Sequence, residues 1–114
     1  MDIYMTTQRR SRMTYNIPKK IKIGGQTFKV IVKKTIERED AIGEFRSLMN
    51  EIHVQTHIEG KKIPVSQVQQ TFCHEFIHCL FDACRQEDLN RNEELVDLMG
   101  DFLHQALGDR IFSD

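Results

Sequence analysis

Apolar and polar positions change period partway along this chain. In "KKIKIGGQTFKVIVKKT" (19–35), β-branched residues alternate with lysines on either side of Gly24-Gly25. That pattern predicts a hairpin, with one strand near 19–23, a glycine turn and a second strand near 26–35. The charged "IEREDA" (36–41) reads as a loop, and "GEFRSLMNEIHVQTHIEG" (43–60) as further extended chain. Its second part, Glu51 to Glu59, puts Ile52, Val54, Thr56 and Ile58 on one face and Glu51, His53, Gln55 and His57 on the other, the latter expected to face solvent. After Gly60 and the connector "KKIP" the period lengthens. Val68, Phe72, Phe76, Leu80 and Cys84 recur every four residues, widened by Ile77 and Phe81, and predict an amphipathic helix over about 66–84. Ser66 and Gln69 have the spacing of a capping box at its start. The polar "RQEDLNRN" turns the chain into a second helix over about 91–107, with Leu95, Leu98, Met99, Phe102, Leu103 and Leu107 on its apolar face and Gly108 as its stop. Strands followed by two helices give an α+β domain, a small antiparallel sheet of hairpin plus edge strand packed on two main helices. Residues 1–16 have no periodicity and read as a flexible N-terminal arm; residues 17–114 form a single domain.

Composition narrows the classes. A chain of 114 residues suits one domain. No run approaches the roughly 20 apolar residues that span a bilayer, and no apolar segment follows the N-terminal arginines, so neither a membrane partner nor a secretory leader is expected. Cys73, Cys79 and Cys84 fall within one short segment and their number is odd. That argues against a disulfide framework and for a reducing, cytoplasmic setting, with the thiols as small buried hydrophobes. Charge is unevenly spread: residues 1–34 carry nine Lys/Arg against Asp2 alone, while the rest carries seven basic and sixteen acidic side chains. The basic third reads as lysines that solvate the outer face of strands and guard a sheet edge, in preference to nucleic-acid contact.

The helix at 66–84 carries the chemistry. "CHEFIHC" spells H-E-x-x-H, with His74 and His78 four residues apart. On a helix that spacing turns both imidazoles toward one point, within reach of a single zinc ion. Glu75 lies between them in angle, beside the metal without ligating it. From there a carboxylate can take a proton from a zinc-activated water as it attacks a carbonyl, and pass it to the leaving amine. Without a charged or metal partner, two histidines and a glutamate on so apolar a helix would be costly to bury.

A catalytic zinc site has three protein ligands and an open position. Residues 81 and 84 are Phe and Cys, so no third histidine follows on the same helix, and the ligand is expected from the second one. That helix opens "NEELVDLMG" (92–100), which resembles the gluzincin pattern N-E-x-x-x-D of thermolysin-like metallopeptidases. The resemblance implies Glu93 as third ligand, with Glu94 the alternative one position on, and Asp97 as acceptor for the outer N–H of a ligating histidine. Over residues 19–108 the layout is similar to compact zinc metallopeptidases of phages and mobile elements, of the ImmA/IrrE type. It implies a zincin-like fold, Zn2+ as cofactor, and a protein or peptide substrate paired to an edge strand, here Glu51–Ile58. The expected activity is zinc-dependent endopeptidase action; the alternative is a zinc-binding protein of the same fold that recognises a protein or nucleic-acid partner without cutting it.

Overall fold

The computed structural model describes residues 3–7, 15–38 and 40–113. Among the described residues, seven strands precede three helices: β1 (Ile3–Thr7), β2 (Pro18–Ile23), β3 (Gln26–Lys33), β4 (Gly43–Arg46), β5 (Glu51–Gln55), β6 (His57–Ile58) and β7 (Lys61–Lys62), then α1 (Val65–Ala83), α2 (Glu87–Arg91) and α3 (Glu93–Ile111). The fold is α+β, as the periodicity predicts. The predicted hairpin is β2–β3, closed with Ile23 opposite Gln26 around Gly24-Gly25. Part of the predicted flexible arm is a strand: β1 pairs antiparallel with β2. Residues 1, 2 and 8–14 of that arm lie outside the described residues.

Five strands form the main sheet in the order β1-β2-β3-β5-β4, and β6 and β7 form a small second one. The expectation of an antiparallel sheet needs correcting, because β3 and β5 run parallel, with Val30 beside Ile52 and Val32 beside Val54. Backbone bonds continue that alignment past the strand ends, from Thr56 N–H to the Lys33 carbonyl at 3.0 Å. The identity of the edge strand also changes. The chain turns back at Ser47–Met49, so β4 pairs antiparallel with β5 and caps the sheet on that side. Glu51–Gln55 is therefore interior, His57–Ile58 belongs to the small second sheet, and the edge on this side of the main sheet is Gly43–Arg46. His53 is buried, not solvent-facing, because the side chains in register with it on both neighbouring strands flank it. It lies between Ile31 of β3 and Glu44 of β4, with its Nε2 2.9 Å from Glu51 Oε1.

One face of the sheet packs on α1 through Ile21, Ile23, Phe28, Val30, Ile52 and Val54. From the helix come Val68, Phe72, Cys73, Phe76, Ile77, Cys79 and Phe81, so most of the predicted stripe is buried with Cys73 and Cys79 added, while Leu80 and Cys84 are half-buried. Helix α1 starts one residue earlier than expected and without the Ser66 cap. The Pro64 carbonyl accepts the Gln67 and Val68 N–H groups, and no side chain caps the helix. The amide of Gln69 donates to the Tyr15 carbonyl, which ties the helix to the start of the domain.

The packed face of α3 is rotated from the predicted one: Leu95, Met99 and Leu103 pack against the core as expected, but the rest of the predicted stripe does not. Val96 and Gly100 are buried at the seam, while Leu98 and Phe102 are 50% and 59% exposed. Gly100 explains the rotation. A Cβ there would stand 3.1 Å from the His74 Cα and 3.2 Å from its N, so the two backbones meet at a distance only glycine permits. Gly108 does not stop α3, which runs on to Ile111 and lets Phe112 pack edge-on against Phe72 at 5.9 Å. Among the described residues, no helix is long and apolar enough to cross a membrane.

Candidate metal centre

His74 and His78 face the α1–α3 seam one turn apart, their rings 5.0 Å apart between centroids. Glu93 reaches both from the start of α3, because Asn92 Oδ1 accepts the Leu95 N–H at 3.1 Å and fixes Glu93 as the first residue of that helix. Its carboxylate oxygens stand 3.3 Å from His74 Nε2 and 3.1 Å from His78 Nε2. Two ligands held 2.0–2.1 Å from a tetrahedral ion are about 3.3 Å apart, so these separations suit one small cation. Among the described residues, His74, His78 and Glu93 form the group that could hold a metal ion. Glu94 is exposed and outside it.

The outer nitrogens of both rings are occupied. His74 Nδ1 is 2.7 Å from Asp97 Oδ1, one helical turn beyond Glu93. His78 Nδ1 is 2.6 Å from Asn90 Oδ1, on α2. Each Nδ1–H donates to its oxygen, which leaves each Nε2 with a lone pair directed at the Glu93 carboxylate. Lone pairs and an anion at that distance repel unless a cation sits among them, so the donor set fits a metal ion. Asn90 was missed by the sequence reading. It falls in a polar stretch with no period, and only the folding of that stretch into α2 brings it to His78.

Glu75 is the buried carboxylate of the group, 8% exposed, with Oε2 3.9 Å from His74 Nε2. Burial raises its pKa, partly offset by His74, His78 and Arg38, while the Glu93 charge adds to the rise. Edge strand β4 passes directly over it. A Cβ on Gly43 would lie 2.5 Å from Thr71 Cγ2 and 3.0 Å from Glu75 Oε2, so a side chain at 43 would collide with Thr71 and crowd the carboxylate. Two cavities open on either side of Glu75. One, of about 420 Å³, runs past Gly43, Thr71, His74, Asp97 and Asp101. The other, of about 410 Å³, is lined by Arg38, Phe45, His78, Asp82, Asn90 and Glu93. The exposed Asp82 stands at this second cavity, clear of the histidine nitrogens.

The cysteines stand apart from this group. Burial pushes the Cys73 and Cys79 thiols up to about 12, which makes them inert core residues. Comparison with protein families, curated proteins and solved structures returns no match to this chain.

Proposed function

We propose that the chain is a zinc-dependent endopeptidase acting on a protein or peptide substrate. One observation carries this reading: His74 Nε2, His78 Nε2 and Glu93 converge within 4.8 Å of one another, and a buried carboxylate that is not part of the group, Glu75, stands beside them. A purely structural site has no use for Glu75. Zinc is the ion this His2Glu donor set suits, and when bound it supplies a Lewis acid and lowers the pKa of a coordinated water toward about 7.

The chain's own residues account for the rest. His74 and His78 are held in one tautomer by Asp97 and Asn90, so their Nε2 atoms are available as ligands without rearrangement. Glu75, made more basic by its burial, takes a proton from the attacking water and returns it to the departing amine nitrogen. The free edge of β4 offers unpaired backbone groups beside Glu75, where an extended peptide can pair as an added strand. Gly43 keeps that approach open. Side chains flanking the scissile bond then enter the two cavities on either side of Glu75.

The test is metal analysis of protein purified without chelator, followed by digestion of a peptide library by wild type and Glu75→Gln. The expected result is about one zinc per chain in both proteins and cleavage by the wild type alone. Equal cleavage by Glu75→Gln removes the general-base assignment. Zinc in both with no cleavage by either favours the zinc-binding protein without peptidase activity.

A further inference from the structure

The sheet face turned away from the helices carries a charge pattern that the metal centre does not use. Residues 15–34 contain six lysines and no Asp or Glu. Strand alternation buries Ile21 and Ile23 of β2 and Phe28 and Val30 of β3 against α1, and so turns Lys20, Lys22, Lys29 and Lys33 to the opposite face. Edge protection does not account for them. Both strands are interior, with β1 on one side and β5 on the other. Lys20 and Lys29 are direct cross-strand partners, a like-charge pairing that destabilises a sheet unless a counter-charge approaches. Among the described residues, none of the four lysines enters an ion pair. The nearest acid in register, Glu51 beside Lys29, is engaged with His53.

We infer that this lysine face of β2 and β3 is a docking surface for a nucleic-acid backbone. The charges are flexible ammonium groups whose positions lie about 7 Å apart on β2 (Lys20, Lys22), about 13 Å apart on β3 (Lys29, Lys33) and about 5 Å across between Lys20 and Lys29, an array that complements the negative charge of a phosphate backbone and carries no means of reading base edges. Binding is therefore independent of sequence and driven by release of counterions. The docked nucleic acid lies on the back of the sheet, with α1 and the acidic centre on the other side. The basic side chains on the centre's two cavities are Arg38 and Arg91, both beside carboxylates: Arg38 3.5 Å from Glu44 and Arg91 3.4 Å from Glu87. The surface is independent of the metal centre, and the two functions can fail separately.

The full chain is titrated against a fluorescein-labelled 20-base-pair duplex and a 20-nucleotide single strand by anisotropy at 50 and 200 mM salt. With about four phosphates neutralised, duplex affinity should fall roughly a hundredfold between those salt concentrations. Combined Lys20→Gln, Lys22→Gln and Lys29→Gln should weaken duplex binding at least tenfold at 50 mM salt and flatten the salt dependence. Lys61→Gln, on the small second sheet, should leave both unchanged. Circular dichroism confirms that each variant is folded; should the triple variant unfold, Lys20→Gln and Lys29→Gln are read singly. Four results overturn the inference: no salt-sensitive binding; binding unaffected by the sheet substitutions; loss confined to neutralising Arg9, Arg10 and Arg12; or binding to vesicles containing phosphatidylserine without binding to either oligonucleotide.

Discussion

Asp97 Oδ1 lies 2.7 Å from His74 Nδ1, across the seam where α3 meets α1. Asn90 makes the matching contact to His78 at 2.6 Å from the far end of the site. The two acceptors differ in charge but do one job: each selects the tautomer that leaves Nε2 free and locks the ring. Asp97→Ala should weaken zinc binding about 10- to 100-fold, and Asn90→Ala about tenfold, without changing the number of ions bound. Competition against a chromophoric chelator measures both. Unchanged affinity in both variants would mean that the histidines are oriented by packing alone.

The carboxylate assignment separates two adjacent residues. Glu93 approaches both Nε2 atoms within 3.3 Å, whereas Glu94 is exposed and lies outside the group. Glu93→Ala should therefore lose most zinc affinity and Glu94→Ala almost none. The reverse order in the same titration would move the ligand by one position.

Gly100 is where the site's geometry is most sensitive to size. An added methyl meets the His74 backbone at 3.1–3.2 Å, and backbone cannot swing aside as a flexible side chain can. Gly100→Ala should push α3 outward, cost about 1–3 kcal/mol in thermal or urea unfolding, and weaken zinc binding by displacing Glu93 and Asp97 together. Gly25→Ala, with no neighbour within 4 Å of the added carbon, should leave both measurements nearly unchanged.

Cys73 and Cys79 should resist alkylation by iodoacetamide at pH 8 in the folded protein and react fully in denaturant. Their thiols, pushed up to about 12 by burial, hold almost no thiolate at that pH. Mass spectrometry of the alkylated peptides reads the difference. Rapid modification of either in the native state would contradict the packing of α1.

What the sequence determined is what local period can encode. Alternation specified the β2–β3 hairpin, and the four-residue recurrence of Val68, Phe72, Phe76 and Leu80 specified α1 and its buried side. Helical spacing put His74 and His78 on one face, and the resemblance to N-E-x-x-x-D singled out Glu93 and Asp97, also four residues apart, with Glu94 as the alternative ligand. The side chains of the candidate centre were thus legible before any tertiary contact, except Asn90.

Tertiary structure decided which of these local pieces lie beside one another. Period reports which side chains share a face of a strand, not which strand is its neighbour. The parallel pairing of β3 with β5, the edge position of β4 and the burial of His53 were therefore invisible in the chain. Half of the α3 stripe, Leu95, Met99 and Leu103, does pack on the core, and the other half misled for a related reason. Hydrophobicity favoured a face containing Leu98 and Phe102, but the tightest approach to α1 is available only along Val96 and Gly100, where a missing Cβ lets two backbones touch. That same contact carries Glu93 and Asp97 to the histidines. The sequence supplied the candidate ligands, and close packing between non-adjacent segments brought them to one point.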